Sequence, residues 1–402
     1  MSAVGRGLAA APVAERRLAD VDALRGLALF GILMVNVWAF SSGYYGLGVI
    51  DPASGSPLDQ GVRWIVSMFF ETKFYLLFSF LFGYSFTLQM ASAERAGAGF
   101  LPRMLRRQTG LLAIGVAHGA LFFHGDILGV YALLGLALLC LRGVSARAAV
   151  RTAVVVIAVA GALWCLFGLA VLVEPQVQDA AALHAEAARI EAAYDGTALG
   201  VLAEHAGRLP GTFALLLLLQ GPSVLAMFLL GLAAGRRRVF ADFDAHRALF
   251  RRLLVLGLPI GLAGALVYSF LAVFRPGSAA EVLGFGIGVL SAPLLTGAYV
   301  ATAVIFFRTG AGAAVARALA DAGRIALSNY LLQSVVLGVL FTAYGFRLSG
   351  DLPPLMVLLT VSAVFAGQLV VSAWWLRRHV YGPGEWLLRA ITVASRPPWR
   401  RS

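Results

Sequence analysis

The 402-residue chain is short of charge: 13% of its residues are charged, with 20 acidic side chains against 32 basic ones, while 60% are hydrophobic. A soluble protein carries about 25% charged residues, so the polar surface that would cover a water-soluble body is missing. Cysteine is scarce too. Cys140 and Cys165 fall in apolar runs at depths too different for a disulfide, and are expected to be two buried small hydrophobes. No CxxC or HExxH spacing occurs, so no metal is expected. The net charge of +12 would suit nucleic acid, but the arginines sit in short clusters between apolar runs, without a basic face carrying aromatic platforms. No nucleic acid partner is expected. The lipid bilayer is.

What the chain has is long apolar runs. A spanning helix needs about 20 mostly apolar residues, and ten segments qualify: 24–42, 66–90, 105–123, 126–142, 150–173, 212–235, 250–273, 282–307, 325–345 and 354–376. The reading is an all-α polytopic membrane protein, with residues 58–70 as an interfacial helix leading into the second span. The first apolar run reads as a retained span rather than a cleaved signal. Threading ten spans puts 26 of the 31 arginines on the side of the N-terminus, which the positive-inside rule makes cytoplasmic for both termini. Residues 1–20 are expected to be disordered. Residues 21–173 and 211–392 form two five-helix membrane parts. The segment 174–210 lies outside with a short helix over 179–194, and 393–402 is a basic tail. No repeat relates the two halves.

Polar groups inside a span are costly and point to function. Asp22 and Arg25 are i,i+3 neighbours in the first span: an ion pair flanking the membrane, or a guanidinium fork for phosphate or carboxylate. Gly26 and Gly31 permit close helix packing. Asn36 lies deep in the same span. Lys73, beside Glu71, is the only lysine, read either as snorkelling or as a buried titrating amine. His118 ends the third span, His124 sits in the turn, and Asp126 opens the fourth span, with Tyr131 one turn on. A histidine with a carboxylate across a tight turn suits general base chemistry. The ninth span carries Arg324, Ser328, Asn329 and Gln333. Alternate span directions bring Asn36, Glu71, Lys73, His118 and Asp126 to one depth, so one cavity is expected to hold all five. After the tenth span, a Gly-Pro-Gly turn with Glu385 and Arg389 suggests a short anchoring helix.

Taken in order, Asp22…Arg25-Gly26…Gly31…Asn36, Lys73-Phe74 with Phe82-Gly83, His118…Gly125-Asp126, Ser328-Asn329-Tyr330…Gln333 and Tyr381-Gly382-Pro383…Glu385-Trp386 resemble the YeiB-like family of bacterial membrane proteins, whose C-terminal part is a domain of unknown function. That family resembles the wider transmembrane acyltransferases, which include heparan glucosaminide N-acetyltransferase. The resemblance implies a ten-helix core in the bacterial inner membrane, an intramembrane histidine, and acyl-CoA entering from the cytoplasm as co-substrate.

The expectation is therefore transfer of an acetyl-like group to an acceptor hydroxyl or amine at or beyond the outer leaflet, on a small molecule, glycan or lipid. His118, Asp126, Lys73 and Asn36 are the expected catalytic groups. Asp22, Arg25, Arg324, Ser328, Asn329 and Gln333 are expected to hold acyl-CoA, and Glu71, His124 and Tyr131 the acceptor. A homo-oligomer stays open. The competing readings are a transporter with the same residues as a proton relay, and a non-catalytic membrane partner using 174–210 as its recognition surface.

Overall fold

The computed structural model describes residues 13–174 and 179–401. Among these residues there is no strand, and the backbone is helical almost throughout. The elements are α1 (Val13–Asn36), α2 (Pro57–Phe69), α3 (Lys73–Arg95), α4 (Phe100–Leu121), α5 (Leu128–Cys140) and α6 (Ala146–Val173). They continue with α7 (Ala180–Asp195), α8 (Ala198–Leu219), α9 (Gly221–Arg236), α10 (Arg247–Phe274) and α11 (Ala279–Phe306). The last four are α12 (Gly310–Arg324), α13 (Ala326–Phe341), α14 (Pro354–Leu376) and α15 (Pro383–Val393).

Six of the described helical segments are long and apolar enough to cross a membrane. The count reaches eight if the bent pairs α8–α9 (57°) and α12–α13 (81°) each make one crossing. The expected spans 105–123 and 126–142 correspond to α4, which carries three arginines near its start, and to α5, whose 13 residues rise about 20 Å. The protein is an all-helical membrane protein.

The start of the chain departs from expectation. Residues 13–20 form the first turns of α1 rather than a disordered lead, while residues 1–12, with Arg6, lie outside the described residues. A helix stands where 179–194 was expected to form one, and Asp179 caps α7 by accepting from the Ala182 N–H at 3.1 Å. The 58–70 segment is a separate helix, capped where Ser56 Oγ accepts from the Asp59 N–H. Both cysteines are free, and Cys140 is exposed rather than buried, on a helix face that apolar surroundings must cover.

Glycine contacts set the frame. A Cβ on Gly26 would run into the Leu319 carbonyl, and one on Gly323 into the Asp22 carbonyl, so α1 and α12 touch backbone to backbone. Gly83 and Gly231 do the same for α3 and α9. In a bilayer, where apolar burial drives helix association weakly, such close approach is the main source of packing energy.

The 81° break at Ile325 strips α13 of intrahelical partners for its first N–H groups. Glu385 of α15 fills the gap. Its carboxylate accepts from the N–H of Leu327 (2.6 Å) and Ser328 (3.2 Å) and from the Ser328 hydroxyl (2.6 Å). A side chain near the C-terminus thereby fixes where α13 begins, and with it the placement of Tyr330 one turn later.

Candidate active site

His118 sits on the last turn of α4 and Asp126 just ahead of α5, joined by a tight turn. His118 Nδ1 lies 2.9 Å from Asp126 Oδ1, and each side chain is 2% exposed. The other carboxylate oxygen of Asp126 accepts from the Gly129 N–H at 3.0 Å, an N-terminal cap that locks its orientation. A carboxylate at Nδ1 selects the Nδ1–H tautomer and leaves the lone pair on Nε2. That Nε2 is buried without a hydrogen-bond partner. Tyr330 of α13 completes the cluster: its hydroxyl donates to Asp126 Oδ1 at 3.3 Å, and its ring centroid lies 5.1 Å from that of His118.

A pocket of about 580 Å³ reaches this cluster at Tyr330 alone, with His118 and Asp126 behind its wall. Tyr330, Tyr131 and Leu128 form part of its wall, together with Phe78, Phe82 and Leu111. Arg25, Arg103, Arg107, Arg324 and Arg389 also face it, five guanidinium groups drawn from four helices. Arg25 donates to Asp22 (2.6 Å) and to Ser85 Oγ (2.5 Å), so the ion-pair reading describes the geometry; Arg25 also faces the pocket, while Asp22 is not in its wall. Arg324 is loosely paired with Asp321 at 3.9 Å, and Arg107 Nε has no partner. The wall thus combines clustered guanidinium groups, which suit an anionic group, with apolar side chains that suit a less polar one.

The expected donor-site residues divide. Arg25 and Arg324 line the funnel, whereas Ser328, Asn329 and Gln333 do not. Ser328 is consumed by the Glu385 cap. Asn329 Nδ2 donates to Ala322 O (3.0 Å) and Ser372 Oγ (2.9 Å), and Gln333 Nε2 donates to Gln368 Oε1 (2.9 Å). These amides tie α13 to α12 and α14, and they are satisfied by the fold itself. Tyr131, expected at an acceptor site, is buried in the funnel wall with its hydroxyl donating to Tyr75 O (3.0 Å) and 2.7 Å from Ser79 Oγ.

The single cavity expected for five polar residues is replaced by two separate groupings. Thr72 adopts a left-handed conformation (φ 68°) ahead of α3, between Glu71 and Lys73. Glu71 accepts from Ser67 Oγ (2.7 Å) and Tyr268 Oη (3.3 Å), and Lys73 Nζ donates to Ser67 O (3.0 Å). Glu71 lines a second pocket, of about 840 Å³, at the other end of α1. Neither pocket wall includes Lys73, Asn36, His118 or Asp126, and of the cluster around the dyad Tyr330 is the one that lines the funnel. His124 pairs instead with His205 of α8, Nδ1 to Nδ1 at 3.2 Å.

Sequence reasoning missed Tyr330 as the third member of the cluster, and Arg103, Arg107 and Arg389 as funnel residues. The i,i+4 spacing of Arg103 and Arg107 was the available signal, since it sets both on one face of α4. His205, inside the expected excursion, carried no local signal.

Residues 234–395 match the family described as "Protein of unknown function (DUF418)". The chain is 32% identical over 404 residues to "Uncharacterized protein YxaH" of Bacillus subtilis (strain 168), covering 96% of each chain. It is 30% identical over 411 residues to "Uncharacterized protein YeiB" of Escherichia coli (strain K12), covering 95% of this chain and 98% of the other. No solved structure gives a significant match.

Proposed function

The chain belongs to the YeiB-like family of bacterial membrane proteins, and for it we propose a membrane acyltransferase that carries an acetyl-like group from cytoplasmic acyl-CoA to an acceptor hydroxyl or amine. The observation that carries this reading is the funnel, which runs from clustered arginines to a tyrosine bonded to a His–Asp dyad. In this reading the chain crosses the bacterial inner membrane ten times with both termini inside. The arginine-lined mouth then faces the cytoplasm, where acyl-CoA is made.

The chemistry follows from the groups present. The arginines pair with the phosphates of the donor, and its thioester arm reaches toward Tyr330. His118 Nε2 takes the proton from the acceptor hydroxyl or amine as the new C–O or C–N bond forms. The C–S bond breaks, the thiolate leaves, and the imidazolium returns its proton to give free CoA. Asp126 stabilises the imidazolium and holds its orientation, as the third group of a triad does.

A transport reading draws on the two bent helix pairs, since interrupted helices build substrate sites in many transporters. One experiment separates the two: purified protein mixed with [14C]acetyl-CoA and a membrane extract. Label appearing in a product beyond hydrolysis, and lost with His118→Ala, supports transfer. An unlabelled extract after full donor binding rejects it.

A further inference from the structure

Among the described residues, two buried imidazole nitrogens have no hydrogen-bond partner: Nε2 of His118, in the dyad, and Nε2 of His205, on α8. Both side chains are buried, His205 completely. They belong to one neighbourhood. Leu209, one turn after His205, stands 2.6 Å from where a Cβ on Gly119 would be, so α8 packs against α4 beside His118. The Phe123 ring lies 6.4 Å from that of His118 and is stacked at 5.2 Å on Phe40, whose ring lies 6.3 Å from that of His205. A charge on His118 is felt at His205.

The other nitrogen of His205, Nδ1, lies 3.2 Å from His124 Nδ1, with ring centroids 5.4 Å apart. Two imidazole nitrogens at that distance are held by one proton between them. Donor and acceptor are the same chemical group, so the proton crosses from ring to ring without a large difference in basicity to climb. His124 is half-buried, in the turn between α4 and α5. The imidazoles therefore run from the dyad through a wholly buried ring to one at the surface, at the end of α4 opposite Arg103 and Arg107.

The charged neighbours are engaged elsewhere. On α8, Glu204 accepts from Arg189 of α7 at 2.7 and 3.1 Å and lies 3.6 Å from Arg208. Tyr194 of α7, its ring 5.7 Å from that of His205, donates to Ala39 O at 3.3 Å. Tyr344 donates to Leu121 O at the end of α4. Among the described residues no carboxylate is bonded to either ring of the pair, which leaves them as proton carriers rather than fixed charges. The dyad, in turn, needs a carrier. His118 Nδ1 is committed to Asp126, and neither residue lines a pocket wall. A base buried on every side changes its protonation only through neighbours that pass protons on.

We propose that His205 and His124 form a proton conduit joining the His118–Asp126 dyad to the surface turn between α4 and α5. Outward, a proton passes from His118 Nε2 to His205 Nε2, directly or through one water. The shared proton then shifts to His124 Nδ1, and His124 gives up its Nε2 proton to solvent. One N–H bond breaks for each that forms, and the two rings end in exchanged tautomers. The inward sequence restores them, so loading and unloading of His118 alternate along one path. The inference goes beyond the acyltransferase reading, because the conduit sets the proton on His118 whatever that proton is used for.

The test uses the full chain in detergent with 15N-labelled histidine, and NMR reads how fast the ring protons of His118 exchange with water. His124→Ala and His205→Gln are expected to slow that exchange about 100-fold, the low end of what a positioned proton carrier contributes. Added imidazole should restore His124→Ala, whose gap opens at the surface, and not His205→Gln. His184→Ala, at an exposed histidine on α7, should change nothing. Exchange unchanged in both variants, slowed in His124→Ala without recovery in imidazole, or slowed only by Tyr330→Phe, overturns the proposal. None of these readings needs turnover. Slowed and rescuable exchange in a protein that transfers no label from acetyl-CoA leaves the conduit standing and removes the acyltransferase reading. Normal exchange in the variants of a protein that does transfer label removes the conduit alone.

Discussion

Tyr330 and His118 lie ring against ring, with centroids 5.1 Å apart, while both address the same oxygen of Asp126. Tyr330 also lines the arginine funnel, so one side chain touches both the donor pocket and the buried dyad. In the acyltransferase reading, Tyr330→Phe is expected to lower turnover more than acetyl-CoA affinity, because it removes a donor to Asp126 without changing the shape of the pocket. His118→Ala and Asp126→Asn should lower the transfer rate by about 100- to 10,000-fold. Normal transfer by His118→Ala in the radiolabel assay would end the catalytic assignment.

Arg25 tests the funnel. Arg25→Lys keeps the charge but loses the fork that now spans Asp22 and Ser85. Arg107→Gln removes a guanidinium whose Nε has no partner. Each is expected to weaken acetyl-CoA binding by about tenfold, close to 1.4 kcal/mol. Calorimetric titrations superimposable on wild type would return these arginines to a purely structural role.

Glu385 tests the break between α12 and α13. Glu385→Ala leaves the first N–H groups of α13 without acceptors and should cost about 1–3 kcal/mol of stability, read as a lower melting temperature in detergent. A pH dependence follows as well. Burial pushes the Glu385 carboxyl above its ordinary value of 4.5, against the pull of its hydrogen bonds. A raised acid favours the fold while it is protonated, and that contribution is lost as pH rises from the unfolded value through the raised one. Wild type should therefore lose stability relative to Glu385→Gln across that interval. Parallel melting curves for the two proteins at acidic and neutral pH would contradict this.

Sidedness is tested on α7. In a background with Cys140 and Cys165 replaced by alanine, a cysteine at Ala182 should react with a membrane-impermeant maleimide in intact cells. Labelling that requires permeabilisation would invert the topology drawn from the arginine distribution.

The sequence made the helical membrane class legible, because apolar runs of 20 residues leave a chain few alternatives. The His118–Asp126 pair was legible too, since eight residues and a tight turn hold both partners. The start of α13 was legible as well, since the ninth apolar run was drawn from 325 and Gly323 weakens a continuous helix. The helix before it, α12, and the partner that caps α13 were not, because Glu385 lies 58 residues from Leu327. The separation of Glu71 and Lys73 from the dyad was hidden in the same way. Depth along the membrane normal follows from residue counts, but lateral position depends on distant partners, here Tyr268 of α10 at Glu71 and Thr296 of α11 at the Lys73 carbonyl.

The reciprocal contacts of Gly26 with α12 and of Gly323 with α1 have a mechanical meaning. With the two backbones touching, α1 and α12 cannot slide or spread without first separating main-chain atoms. Arg25 and Arg324 stand beside that contact, one on each helix, like the jaws of a caliper whose hinge has been riveted. The separation of the two helices that carry these guanidinium groups is therefore set by main-chain contact. Arg103 and Arg107 stand on α4, which takes no part in that contact and is tied to α15 where Arg106 donates to Thr392 O.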